Sequence, residues 1–124
     1  GYGLSYSDFE YSDLKLDKTE MKFDDEITIA VDITNRSNID GKEVVQLYIR
    51  DLVCSIARPI KELKDFRKVR IRAGETKTVE FKLGRDKLFY YDNDYKKLLE
   101  PGEFEVMVGT NSSDLMVEKF TLIK

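Results

Sequence analysis

Between Glu26 and Asn35 apolar and polar residues alternate without a break. Ile27, Ile29, Val31 and Ile33 fall on one face, with Thr28, Ala30, Asp32 and Thr34 on the other. A period of two built from β-branched residues is compatible with a strand that buries one face and wets the other, and with nothing helical. The same rhythm returns downstream. Val79, Phe81 and Leu83 alternate with Thr78, Glu80 and Lys82; Phe104, Val106 and Val108 recur within 103–108; a last strand is expected over 116–123.

Turn chemistry punctuates these runs. Asn35, Asn38 and Asp40-Gly41 tolerate positive φ and mark a turn. Ala73-Gly74-Glu75 is a tight turn, Asp92-Asn93-Asp94 a hairpin tip between 88–91 and 97–99, and Pro101-Gly102 suits a type II turn. A polar loop is expected at 109–114. Turn signals about every ten residues, with eight or nine short strands, predict an all-β, two-sheet sandwich of the immunoglobulin or fibronectin type III-like kind. The cysteine pair and Trp of immunoglobulin domains are missing, which favours the fibronectin type III-like variant.

The segment VVQLYIRDLVCSIARPIKELKDFRKV, residues 44–69, is the most informative crossing. Val45, Leu47 and Ile49 oppose Val44, Gln46 and Tyr48, and apolar residues on both faces predict a central strand. Pro59 cannot donate to a ladder and biases Arg58 away from helix, so residues 51–59 should bridge rather than pair. Pairing is expected to resume over 63–71, with Lys68, Arg70 and Arg72 on the solvent side.

Residues 1–11, GYGLSYSDFEY, interleave Gly and Ser with Tyr2, Leu4, Tyr6, Phe9 and Tyr11. Aromatic groups on flexible backbone stabilise nothing unless they dock, so these residues are expected to form an arm that docks either on a surface lying partly elsewhere or on this domain's own sheet, with residues 12–124 as the domain proper. At 124 residues the chain is the size of one domain, and 41% hydrophobic with 36% charged residues is the composition of a soluble globule. The net charge of -3 argues against a phosphate-backbone partner. No apolar run approaches the ~20 residues of a membrane-spanning helix. The single Cys54 cannot close an internal disulfide, which is compatible with a reducing or cytoplasmic compartment, and any signal peptide would lie upstream.

Four blocks carry a specific resemblance: GYGLSYSDFEYSDLKL, GKEVVQLYIRD, ARPIKELKDFRKVRIRAGETKTVEF and EPGEFEVMVG. Together, in this order, they resemble the C-terminal fibronectin type III-like domain of family 3 glycoside hydrolases, mostly β-glucosidases. The family's usual pattern has Gly where this chain has Asp65, and Asp tolerates a left-handed backbone better than most residues. The resemblance implies a retaining parent enzyme. Its nucleophilic Asp comes from a TIM-like barrel and its acid/base Glu commonly from an α/β sandwich domain, both of which precede this domain in the family. It therefore implies no catalytic residue and no cofactor here. The role implied is a structural brace whose partners are the upstream catalytic domains. Tyr2, Leu4, Tyr6, Arg58 and Pro59 are the expected contributors to that joint.

Other readings of the residues are weaker. Twenty-four carboxylates could supply a glycosidase pair, but acids on alternating strand faces are ordinary solvation. Asp92-Asn93-Asp94 begins like a calcium loop, yet Lys96 and Lys97 stand where a ligand and a glycine are needed, so no metal is expected. Phe89, Tyr90, Tyr91 and Tyr95 could stack a sugar in a carbohydrate-binding module, but with no Trp in the chain direct sugar binding is not expected, and the alternative to the brace is a carbohydrate- or protein-interaction module. The cations Arg58, Lys61, Lys64, Arg67, Lys68, Arg70 and Arg72 are better explained as an edge strand guarded by charge than as a nucleic-acid track. Cys54 has no histidine to activate it. Asn35-Arg36-Ser37 and Asn111-Ser112-Ser113 satisfy the glycosylation pattern, although turn chemistry accounts for both asparagines.

Overall fold

A computed structural model describes residues 9–52, 61–88, 90–91, 97–98, 101–111 and 114–123. Among the described residues the strands are β1 (Phe9–Leu16), β2 (Glu20–Lys22), β3 (Glu26–Asn35), β4 (Gly41–Asp51), β5 (Glu62–Ile71), β6 (Thr76–Gly84), β7 (Tyr90–Tyr91), β8 (Lys97–Leu98), β9 (Gly102–Asn111) and β10 (Asp114–Ile123), with one 3-10 turn at Arg85–Lys87. They form a three-stranded sheet, β1-β3-β6, and a five-stranded sheet, β2-β10-β9-β4-β5, with β7-β8 as a separate two-stranded ladder. This is the expected β-sandwich.

The alternating faces meet between the sheets. Ile27, Ile29, Val31 and Ile33 of β3 are fully buried, and with Phe81 and Leu83 of β6 they share one core with Val45 and Leu47 of β4 and Val106 and Val108 of β9. Phe104 and Phe120 stand opposite each other in the β9/β10 register and stack with centroids 5.3 Å apart and planes 8° apart. Such an aromatic cross-strand pair stabilises the ladder beyond its buried area. β4 is interior to its sheet, between β9 and β5, as its two apolar faces predict. β5 is an edge, and Lys68, Arg70 and Arg72 are exposed.

Two of the register shifts among the described strands, in β1 and β5, shape the sandwich. In β1 the spacing of Phe9, Tyr11, Leu14 and Leu16 shifts parity. The register slips by one residue between Ser12 and Lys15, and Asp13 adopts φ 54° to absorb it. All four apolar side chains thereby stay on the core side. In β5 the register slips between the partners of Leu47 and Tyr48, which pair with Asp65 and Leu63. Asp65 is not left-handed; among the described non-glycine residues only Asp13 has positive φ. Instead its carboxylate accepts the Phe66 N–H at 2.8 Å and pairs with Arg67 at 3.0 Å, securing the strand just after the slip.

Other differences from expectation have simple causes. β1 begins at Phe9, so Phe9, Glu10 and Tyr11 of the expected arm are strand. The polar loop expected at 109–114 is mostly ladder: β9 runs to Asn111 and β10 resumes at Asp114, because polar side chains do not prevent backbone pairing. β2 has one apolar residue, the fully buried Met21, too few to show a period; it pairs in parallel with β10.

Candidate functional site

The five residues expected at a joint, Tyr2, Leu4, Tyr6, Arg58 and Pro59, lie outside the described residues, as do Cys54 and the tip Asp92-Asn93-Asp94. The points from which they depart are described. The chain enters β1 at Phe9, opposite Asn35, and the Phe9 ring lies so close to Gly41 that a Cβ there would meet it at 2.9 Å. The 53–60 connection leaves from Leu52, just past the other end of β4 at Asp51, and returns at Lys61. The ten residue steps of β4 make these attachment points about 33 Å apart. A surface that touches both must run the length of the sandwich.

Several carboxylates among the described residues are engaged in contacts within the fold. Glu10 pairs with Arg36 at 2.8 Å, Glu105 with Arg50 at 3.5 Å and Glu62 with Lys64 at 3.5 Å. Asp32 accepts from the Thr78 hydroxyl at 2.6 Å, and Asp17 from the Thr28 N–H at 2.9 Å. Glu43, nearly buried, accepts the Tyr11 hydroxyl at 2.8 Å and so ties β1 to β4 across the sandwich edge. A hydrogen bond from Lys18 holds the Asp25 carboxyl below the usual carboxylate range. Among the described residues no group of three or more acidic, Cys or His side chains is placed to hold a metal ion.

One open polar cleft of about 590 Å³ is lined by Asp40, Arg70, Arg72, Glu75 and Lys77. Its walls are fixed by main-chain contacts. Asp40 accepts the Ala73 N–H and Glu75 the Arg72 N–H, both at 2.9 Å, while Lys77 donates to the Arg70 carbonyl at 2.6 Å. The acidic groups here cap a turn; the cations line the outer end of the β5 edge. Farther along β5, Arg67 covers the Phe81 ring at 5.1 Å and Lys61 the Tyr48 ring at 5.8 Å.

Asn35 has a role the sequence pattern does not show. It is 2% exposed, and its amide donates to the carbonyls of Ile39 and Ile71, both at 2.9 Å. Its side-chain oxygen accepts the Ser37 N–H at 3.0 Å and the Ser37 hydroxyl at 2.8 Å. Its backbone accepts from Gly74 and donates to Glu75, so one residue clamps the end of β3 to the β5/β6 turn and the β3/β4 connection. A glycan on that nitrogen would displace both donors.

Comparison with known proteins gives a consistent result. The family model of the fibronectin type III-like domain matches residues 43–112. A β-xylosidase of Formosa agariphila is 46% identical over 112 residues, covering 90% of this chain and 16% of its own length. The thermostable β-glucosidase B of Acetivibrio thermocellus is 42% identical over 120 residues, covering 96% of this chain and 16% of its own. The crystal structure of a Listeria innocua β-glucosidase in complex with gluconolactone superposes with a TM-score of 0.85 at 42% identity, covering 94% of this chain and 16% of that one. The chain thus spans about one sixth of the length of the proteins it matches.

Proposed function

The chain belongs to the fibronectin type III-like domain family, and from that premise we propose that it is a non-catalytic brace within a larger glycosidase polypeptide of the β-glucosidase and β-xylosidase kind. The observation that carries this reading is coverage. Nearly the whole chain aligns with enzymes that hydrolyse β-glycosides, yet it accounts for only 16% of each. In this reading the nucleophilic Asp and the acid/base Glu of a retaining enzyme, which must stand about 5 to 5.5 Å apart across the sugar, belong to the remaining domains. The structural employment of the carboxylates described above supports that division of labour.

Tyr2, Leu4, Tyr6, Arg58 and Pro59 contribute to the joint between this domain and the catalytic ones. Interfaces between domains of one chain bury on the order of 600 to 1,500 Å², enough to bias their orientation. The test compares the full polypeptide with one lacking these 124 residues. Removal should lower the melting temperature and the aryl β-glycosidase activity of what remains, while the excised chain alone shows no hydrolysis and no retention on a glucan gel. Turnover by the excised chain, or an unaffected truncated enzyme, would refute the reading. Alanine at the five joint residues should weaken the full enzyme in the same direction.

A further inference from the structure

The five-stranded sheet has an outer face, turned away from the core, that carries an apolar belt. In register, Leu63 of β5, Tyr48 of β4, Met107 of β9 and Val117 of β10 form a row across four adjacent strands. Phe66 and Val44 continue it on the next rungs. Leu63 and Phe66 are each 51% exposed, Val117 48% and Val44 39%; Met107 is buried at 3% exposure but stands outside the cluster that the two sheets form between them. Scattered apolar residues on a surface mean little; a row spanning four strands is an interaction patch.

The belt has a charged rim of uneven sign. At one side Arg50 pairs with Glu105, which stands opposite Lys119. At the other, Lys42 and Arg70 are directly opposite each other, both exposed, with Lys68 one rung nearer. Like charges in direct register oppose strand pairing, and an acidic surface laid over them would relieve that repulsion. A second copy fits poorly. Two-fold pairing about the belt sets Lys42 and Arg70 against Arg50, Glu105 and Lys119, where cations again outnumber the acid.

We infer that this face is the surface on which the domain docks, and that its occupant is an apolar patch with an acidic flank on the remainder of the same polypeptide. The inference rests on the brace reading, and the relatives' own length, some six times that of this chain, supplies the covalently attached partner. It also fits the attachment points, since β4, which runs through the belt, joins the end where the chain enters to the end where the 53–60 connection leaves.

The experiment is carbene footprinting of the intact full-length polypeptide, with Ile39, 70% exposed and off this face, as the internal reference. Leu63, Phe66 and Val117 should label several-fold less than Ile39, although their exposures here are within twofold of it. The double variant Lys42→Glu/Arg70→Glu should speed native-state proteolysis between domains by about tenfold, as expected when weaker docking raises the population of the open form. Unprotected belt residues overturn the inference. So does a full-length dimer that Phe66→Lys converts to monomer, which would seat a second copy there. If deletion of the 124 residues still lowers stability while the belt labels freely, only the docking face is wrong; if deletion has no effect, the brace reading itself fails.

Discussion

Replacing Asn35 by Ala removes four side-chain hydrogen bonds from a residue that is almost wholly buried. Their costs differ. The Ile71 carbonyl, on a fully buried residue, loses a donor that water cannot readily replace, a penalty of about 1 to 3 kcal/mol. The Ile39 carbonyl still accepts from the Ser37 hydroxyl at 2.8 Å, and the Ser37 groups lie near enough to solvent to recover water, so these losses are a few tenths each, ~0.5 kcal/mol at most. The expected total is about 2 to 4 kcal/mol, which for a domain of this size lowers Tm by about 8 to 15 °C. Urea and thermal unfolding measure it directly. Ser37→Ala, which removes only the half-exposed hydroxyl, should cost under about 1 kcal/mol. Asn35→Asp keeps the acceptor but turns an oxygen toward two carbonyls. Burial and those carbonyls place the folded-state pKa of the introduced carboxyl above its unfolded value, so its penalty is full at neutral pH and shrinks as pH falls through the folded pKa, where the protonated group can donate again. An Asn35→Ala loss no larger than that of Ser37→Ala, or an Asn35→Asp deficit that widens in acid, would show that the amide is not what joins the three segments.

Further outcomes follow from the same contacts. Phe104→Ala opens a cavity beside Phe120 at a residue 1% exposed and should cost about 3 to 5 kcal/mol, read from the urea midpoint at unchanged slope. Gly74 has φ +74° with nothing within 4 Å of a new Cβ, so Gly74→Ala should cost about 1 to 2 kcal/mol from backbone strain alone; a larger loss would mean an unseen clash. Asp25, whose folded pKa lies below its unfolded one, contributes stability above the unfolded pKa and loses it as pH falls through the folded value. Asp25→Asn should therefore trail the parent chain at neutral pH and converge with it in strong acid, with added salt narrowing the gap at neutral pH; a pH-independent gap would discard the Lys18 pairing as its source.

Periodicity made most of the fold legible. The alternation in β3, β6 and β9 named the buried faces because burial on one side of a pleated strand requires it. Legibility failed where the period was interrupted or too short. The β1 bulge hides in a two-three-two spacing of Phe9, Tyr11, Leu14 and Leu16, which looks irregular until one residue is allowed to bulge out. β2 offers a single buried methionine. The role of Asn35 was masked by its position in a turn-like string, where the side chain's partner at Ile71, 36 residues away, leaves no local trace. The glycosylation pattern at Asn35 was a true match of letters with the wrong physical meaning, since the nitrogen is spent inside the fold.

The outer face of the five-stranded sheet shows how one sequence signal can have two causes. Apolar residues on both faces of β4 predict an interior strand, and β4 is interior to its sheet. But being flanked by β9 and β5 satisfies backbone edges, not side-chain faces. Val45, Leu47 and Ile49 bury against the other sheet, while Val44 and Tyr48 point to a side on which none of the described strands packs as a second layer. Leu63 and Phe66 joined that side only because the β5 bulge flips parity between them; in an unbroken strand, residues three apart would face opposite ways. A chain under no demand to cover this face would be expected to wet it with polar residues, as β3 does with Thr28, Asp32 and Thr34 on its own outer face. That this sheet instead aligns apolar groups across four strands, using a bulge to bring in the last of them, is the physical reason to seek the missing layer in the rest of the polypeptide.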